Sequence, residues 1–187
     1  MKISKGFSLL EMLVIIAIIG IVSTYGISSF TNIASDTEFR KGDILTENFI
    51  EEIKNKAFTD NKPYKIYLEN NADSIEMKVY APNGTAWFDP SLTRMCDCHV
   101  GINSGNSICS NAFLDSISGQ TPIATKIING LNVKKCNNEN CSSESSTVIE
   151  LCLLSNGSAA RTNYFKLKDT NSNNSKVKKF YKTGYVE

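Results

Sequence analysis

The sequence predicts an α+β fold in which one long amino-terminal helix packs on antiparallel β-sheets. Three observations carry that expectation. An almost unbroken apolar run near the start leads into a helical repeat. Alternating, strand-like runs separated by Asn- and Gly-containing turns fill the remainder. Six cysteines, all in the second half, add a disulfide-tied loop region.

The chain has 187 residues, enough for an anchor and one ordinary domain, and no internal repeat or second globular domain is evident. Hydrophobic residues make up 41% and charged residues 21%, a globular balance without the signature of disorder. The net charge of +1 gives no global electrostatic case for nucleic acid, so any such case must come from a local patch.

The stretch "KGFSLLEMLVIIAIIGIV", Lys5 to Val22, opens the helix and poses a problem. As a helix, Phe7–Phe30 reaches about 36 Å, sufficient to span a bilayer. Lys2 and Lys5 precede it and would keep the amino terminus cytoplasmic. A secretory signal peptide or a plain anchor fits those facts, yet neither needs Glu11. A carboxylate inside the hydrocarbon costs about 2.5–3.5 kcal/mol on insertion scales, and such residues tend to be functional and paired.

Gly6, Phe7 and Glu11, with Lys5 ahead and the apolar run behind, resemble the class III signal of type IV prepilins and of type II secretion pseudopilins. The resemblance implies a leader at 1–6, cut after Gly6 by a prepilin peptidase, and N-methylation of Phe7. It implies a transmembrane and assembly helix over 7–30, with a periplasmic pilin-like domain over 31–187. The new α-amino group, of pKa about 8, is cationic at neutral pH. In a staggered bundle Glu11 would face the Phe7 amine of a neighbour, giving each buried charge an opposite partner. The implied product is a minor pilin or pseudopilin, single-pass in the inner membrane and then built into a pilus or pseudopilus. Its implied partners are the major pilin and other minor subunits.

Residues 31–58 continue as an amphipathic helix, with Leu45, Phe49, Ile53 and Ala57 on one line and Glu47, Glu51, Lys54 and Lys56 off it. Ser35-Asp36-Thr37-Glu38 offers capping groups, Gly42 offers a kink, and Asn61-Lys62-Pro63 a stop. Strands are expected at Pro63–Glu69, Ser74–Ala81, Thr85–Phe88, Leu131–Lys135, Thr147–Leu154, Thr162–Lys168 and Lys176–Lys182. Residues 89–122 read as a long loop with a short helix near Ala112–Ile117. The order of these later elements looks like that of GspH/FimT-like minor pilins, with the cysteine-rich insertion 89–146 as a departure.

The chemistry-bearing residues are few. There is one histidine, His99, with no nucleophile motif and no phosphate loop, so no enzyme and no cofactor is expected. "CDCH", Cys96–His99, lacks the haem spacing, and zinc on Cys96, Cys98, His99 and Cys109 competes with simple disulfides. An exported domain favours disulfides among Cys96, Cys98, Cys109, Cys136, Cys141 and Cys152, so no metal is expected. "CNNENC" makes Cys136–Cys141 the easiest local bridge. Cys152, in an apolar strand, reads as half of a buried disulfide or as an inert thiol.

The carboxyl-terminal stretch offers the one ligand candidate. Lys176, Lys178 and Lys182 share a strand face with Phe180; Lys179, Tyr181 and Tyr185 are close, and Lys166 and Lys168 lie on the preceding strand. Lysines interleaved with aromatics can follow a nucleic-acid backbone. Some FimT-like pilins bind DNA through a Gly-Arg-x-Arg stretch near the end; here that place reads Gly184-Tyr185-Val186-Glu187. The competing expectation is a solvated lysine face that protects an edge strand.

Overall fold

The computed structural model describes residues 8–82, 88–89, 94–95, 121–145 and 148–187, without the side chains of 25–32, 88–89 and 94–95. Among the described residues one helix, α1, runs over Leu9–Asp60. The strands are β1 Tyr64–Asn71, β2 Ser74–Tyr80, β3 Phe88–Asp89, β4 Arg94–Met95, β5 Ala124–Asn129, β6 Leu131–Cys136, β7 Glu144–Ser145, β8 Ile149–Leu153, β9 Asn163–Asp169 and β10 Ser175–Phe180. Every strand pairing is antiparallel. The first sheet has the order β5-β2-β1-β8, the second β10-β9-β6-β7, and β3-β4 stands as a separate pair. The expected α+β class is therefore present.

The chain divides into two compact units, Met1–Glu38 and Phe39–Glu187. In the first, the described apolar side chains are exposed all round the helix, from Leu9 to Val22. Among the described residues no helix is long and apolar enough to cross a membrane. The described side chains of this run stop at Thr24, and 9–24 gives about 24 Å of helix, short of the roughly 30 Å hydrocarbon core. The rest of the span expected over 7–30, Phe7 and the side chains of 25–30, lies outside what is described.

In the second unit the amphipathic repeat does what its spacing dictates. Phe49, Ile53 and Ala57 are buried, with Leu45 packed against them, and Phe39 and Ile50 complete the stripe. This stripe meets Ile66, Leu68, Met77 and Leu151 of the first sheet and Val133, Phe165, Leu167 and Phe180 of the second in one apolar cluster. The helix stops where expected. Asn61 takes φ 49° and the Lys62 N–H donates back to the Ala57 carbonyl at 3.1 Å, a left-handed cap with Pro63 following.

α1 runs on through Gly42, and a Cβ at this position would lie 2.6 Å from Leu131 Cδ1. The missing side chain lets the helix approach β6 closely. β5 was absent from the strands read out of the sequence. Its residues are exposed apart from Ile128 and, at the ends, partly Ala124, so the run shows neither clean alternation nor a buried block. Gly130, at φ 77°, carries the chain from β5 in the first sheet to β6 in the second. Asn70 then ties the sheets, its side chain donating to the Val133 carbonyl at 2.8 Å and accepting from the Val133 N–H at 2.7 Å.

Candidate assembly site

The start of α1 is built by Ser8. Its hydroxyl accepts from the Glu11 N–H at 3.2 Å, and its carbonyl accepts from the N–H groups of Glu11 and Met12. Ser8 is thus the N-cap and Glu11 the third helical residue, the S-x-x-E spacing of a capping box. Glu11 also lies in the first turn, where the helix dipole favours a negative charge. This local role was legible in "SLLE" but absent from the sequence reading. It does not exclude an intersubunit role, because the Glu11 side chain is exposed within the single chain. Around it lie Leu9 at 82% and Leu10 at 75% exposure, apolar surface that water alone would leave unfavourable. Gly6 and Phe7, the expected processing pair, lie outside the described residues.

The carboxyl-terminal lysines are arranged differently from the expectation. Lys178 has no exposed surface; its Nζ lies 2.6 Å from Asp43 Oδ1 and also pairs with Glu47, both on α1. Lys176, half exposed, reaches Asp43 Oδ2 at 3.2 Å. The face shared with Phe180 therefore points at the helix, and Phe180, fully buried, was the signal in the sequence that this face is core. Lys178 is thereby removed from any solvated or ligand-facing set. Lys179, on the opposite face, pairs with Glu139 at 3.3 Å and sits 4.6 Å from the Tyr181 ring centroid. Lys182 is exposed.

On the outward face of the second sheet, cross-strand register places Lys134 opposite Lys166, Asn132 opposite Lys168, and Tyr164 opposite both Lys179 and Cys136. Directly opposed ammonium groups repel. Glu144 on β7 relieves this, lying 3.3 Å from Lys134 and 2.8 Å from Lys166. Hydrogen bonds from Lys166 and then Lys134 hold its carboxyl below the ordinary glutamate value.

Cys136 and Cys141 form the expected local bridge, with Cα atoms 4.7 Å apart. Asn137 and Asn138 organise the loop by accepting from the N–H groups of Ser143 and Ser142. Cys152 is disulfide-bonded and 1% exposed, which decides between its two readings. Cys96, Cys98, His99 and Cys109, and the short helix expected near 112–117, lie outside the described residues.

Residues 1–26 match the prokaryotic N-terminal methylation motif. This is the class III signal, and it supports the likeness to type IV pilin-like proteins drawn from Gly6, Phe7 and Glu11. The motif carries prepilin peptidase processing with it. No curated protein and no solved structure matches the chain.

Proposed function

We propose that the chain is a minor pilin or pseudopilin of the GspH/FimT-like kind, with a pilin-like fold. It is cut between Gly6 and Phe7, methylated at Phe7, held by a single pass in the inner membrane with its sheets in the periplasm, and then built into a pilus or type II secretion pseudopilus. The observation that carries this reading is an apolar helix exposed on all sides, with one acid in its first turn, inside the stretch that matches a methylation motif. Such a surface calls for lipid before assembly and for neighbouring helices after it. Glu11 then meets the Phe7 amine of an adjoining subunit, a major pilin or another minor one, and the pair cancels two charges that would each be costly alone.

The test is Gly6→Ala in cells that carry a prepilin peptidase. The expected product is longer by the leader and missing from sheared filaments. Identical mobility and identical filament content would overturn the reading.

A second reading, DNA capture during uptake, is favoured by one observation: Lys134, Lys166, Lys168 and Lys179 share the outward face of the second sheet with Tyr164. Retardation of DNA that weakens with salt, and is lost when Lys166, Lys168 and Lys179 become Ala, would support it. Retention of binding in that variant, or no binding at low salt, would remove it.

A further inference from the structure

The sequence contains Asn-Gly three times, at 83–84, 129–130 and 156–157. The first pair lies outside the described residues, and the other two are held in contrasting ways. An asparagine amide can be attacked by the backbone nitrogen of the residue that follows it. Glycine hinders that approach least, because it carries no Cβ. What separates one such pair from another is how the side-chain amide is held.

Asn129 ends β5, where it is paired with Ser74 of β2. A strand side chain stands off the sheet, away from its own backbone. Asn156 is instead exposed in the turn after β8. There the Gly157 N–H donates to the Leu154 carbonyl at 2.9 Å, with Gly157 at φ 76°. Asn156 Oδ1 accepts from the Ser158 N–H at 2.9 Å and from the Ser158 hydroxyl at 2.6 Å. The first of these bonds makes an Asx turn, which folds the side-chain amide back across the Asn156–Gly157 peptide and turns Cγ toward the Gly157 nitrogen. Both donors sit on the oxygen that gains negative charge when that nitrogen attacks, the arrangement of an oxyanion hole.

We propose that Asn156 is a site of spontaneous deamidation promoted by Ser158. The Gly157 N–H leaves the Leu154 carbonyl and passes its proton to hydroxide. The nitrogen then bonds to Asn156 Cγ, the Cγ–Nδ2 bond breaks, and ammonia leaves with a proton from water. Water opens the cyclic imide at one or other carbonyl, giving aspartate or isoaspartate. A neutral turn thereby gains a negative charge, and the isoaspartate form lengthens the backbone by a methylene. The Gly157 carbonyl lies against Gly184, and the Ala159 N–H holds the Lys182 carbonyl at 2.7 Å, so the longer backbone loosens the end of the chain.

Ageing the full chain in mildly alkaline buffer, with peptide mapping over time, tests this. Conversion at Asn156 is expected to outpace that at Asn129. Ser158→Ala removes one of the two donors and is expected to slow conversion at Asn156 about fivefold, the worth of one neutral hydrogen bond, with Asn129 unchanged. Faster conversion at Asn129 than at Asn156, or an unchanged or faster rate at Asn156 in Ser158→Ala, would overturn the proposal. Hydrogen exchange at Ala159 is expected to quicken in the aged native chain and to stay fixed in equally aged Asn156→Gln. Equal exchange in the two would refute the loosening of the chain end.

Discussion

The Lys178 ammonium on β10 lies 2.6 Å from Asp43 Oδ1 on α1, with no part of the lysine exposed. Two elements far apart in sequence are thus joined by a charge pair at their contact, with Glu47 as a second acceptor. Such a pair is weak evidence of net stabilisation, because desolvation offsets most of the attraction. Breaking it is another matter. Lys178→Ala is expected to lower stability by about 3 kcal/mol, the lower end for breaking a buried pair, since Asp43 keeps only the half-exposed Lys176 as its counter-ion. Lys178→Met with Asp43→Leu should recover most of the loss. Chemical unfolding of the two variants measures both values; equal losses in each would refute the assignment.

This pair also shows what the sequence could and could not disclose. The helix stripe, most of the strands and the local Cys136–Cys141 bridge were legible, because each depends on short-range periodicity or on loop length. The orientation of β10 was not. Lys176, Lys178 and Lys182 were placed together with Phe180, but their number suggested solvent, and only the acids of α1 make burial tolerable. β5 was hidden for a related reason: its exposed residues lack a strand period, and its place follows from pairing with β2. Of the assembly site, the Gly6-Phe7-Glu11 spacing was plain, whereas the cap formed by Ser8 was overlooked beside the more conspicuous acid.

Gly42→Ala sets two effects of similar size against each other. Alanine in a helix interior gains about 1 kcal/mol over glycine. The added Cβ would lie 2.6 Å from Leu131 Cδ1 and 3.1 Å from Cγ, and Leu131 is itself fully packed. Overpacking of this kind costs about 1–3 kcal/mol. A net loss of about 1 kcal/mol is expected, reversed to a gain when Leu131→Val is added. A double-mutant cycle reads the coupling directly, and strict additivity would show that the close approach is relieved elsewhere.

Glu144 supplies a pH dependence whose sign is fixed. Its folded pKa is lowered by hydrogen bonds from Lys166 and Lys134. The ionised form is therefore favoured in the folded state, and the associated stability is present above the ordinary glutamate range, near pH 4.3. It is lost as pH falls through the lowered folded value. NMR titration of the Glu144 carboxyl should give a midpoint below that of exposed glutamates. Lys166→Ala should move it up, and an unchanged midpoint would contradict the pairing.

Gly184 is the position where the smallest change should do the most local damage. It takes φ 81°, and a Cβ there would lie 2.1 Å from the Gly157 carbonyl oxygen, an atom of backbone that cannot rotate aside. The two glycine turns lock the end of the chain: the Ala159 N–H donates to the Lys182 carbonyl at 2.7 Å, and Lys179 and Glu187 exchange backbone hydrogen bonds. Lys54 of α1 lies beneath both turns, its ammonium 3.5 Å from the Tyr185 ring centroid. Gly184→Ala adds left-handed strain of about 1–3 kcal/mol to the clash. The loss should therefore exceed that of Gly130→Ala, which takes φ 77° with nothing within 4 Å of its Cβ. Hydrogen exchange should locate the difference, with faster exchange at Ala159, Lys179 and Glu187 in Gly184→Ala and unchanged exchange on β1. Equal losses in the two variants would mean that strain alone, and not contact with the Gly157 turn, sets the cost.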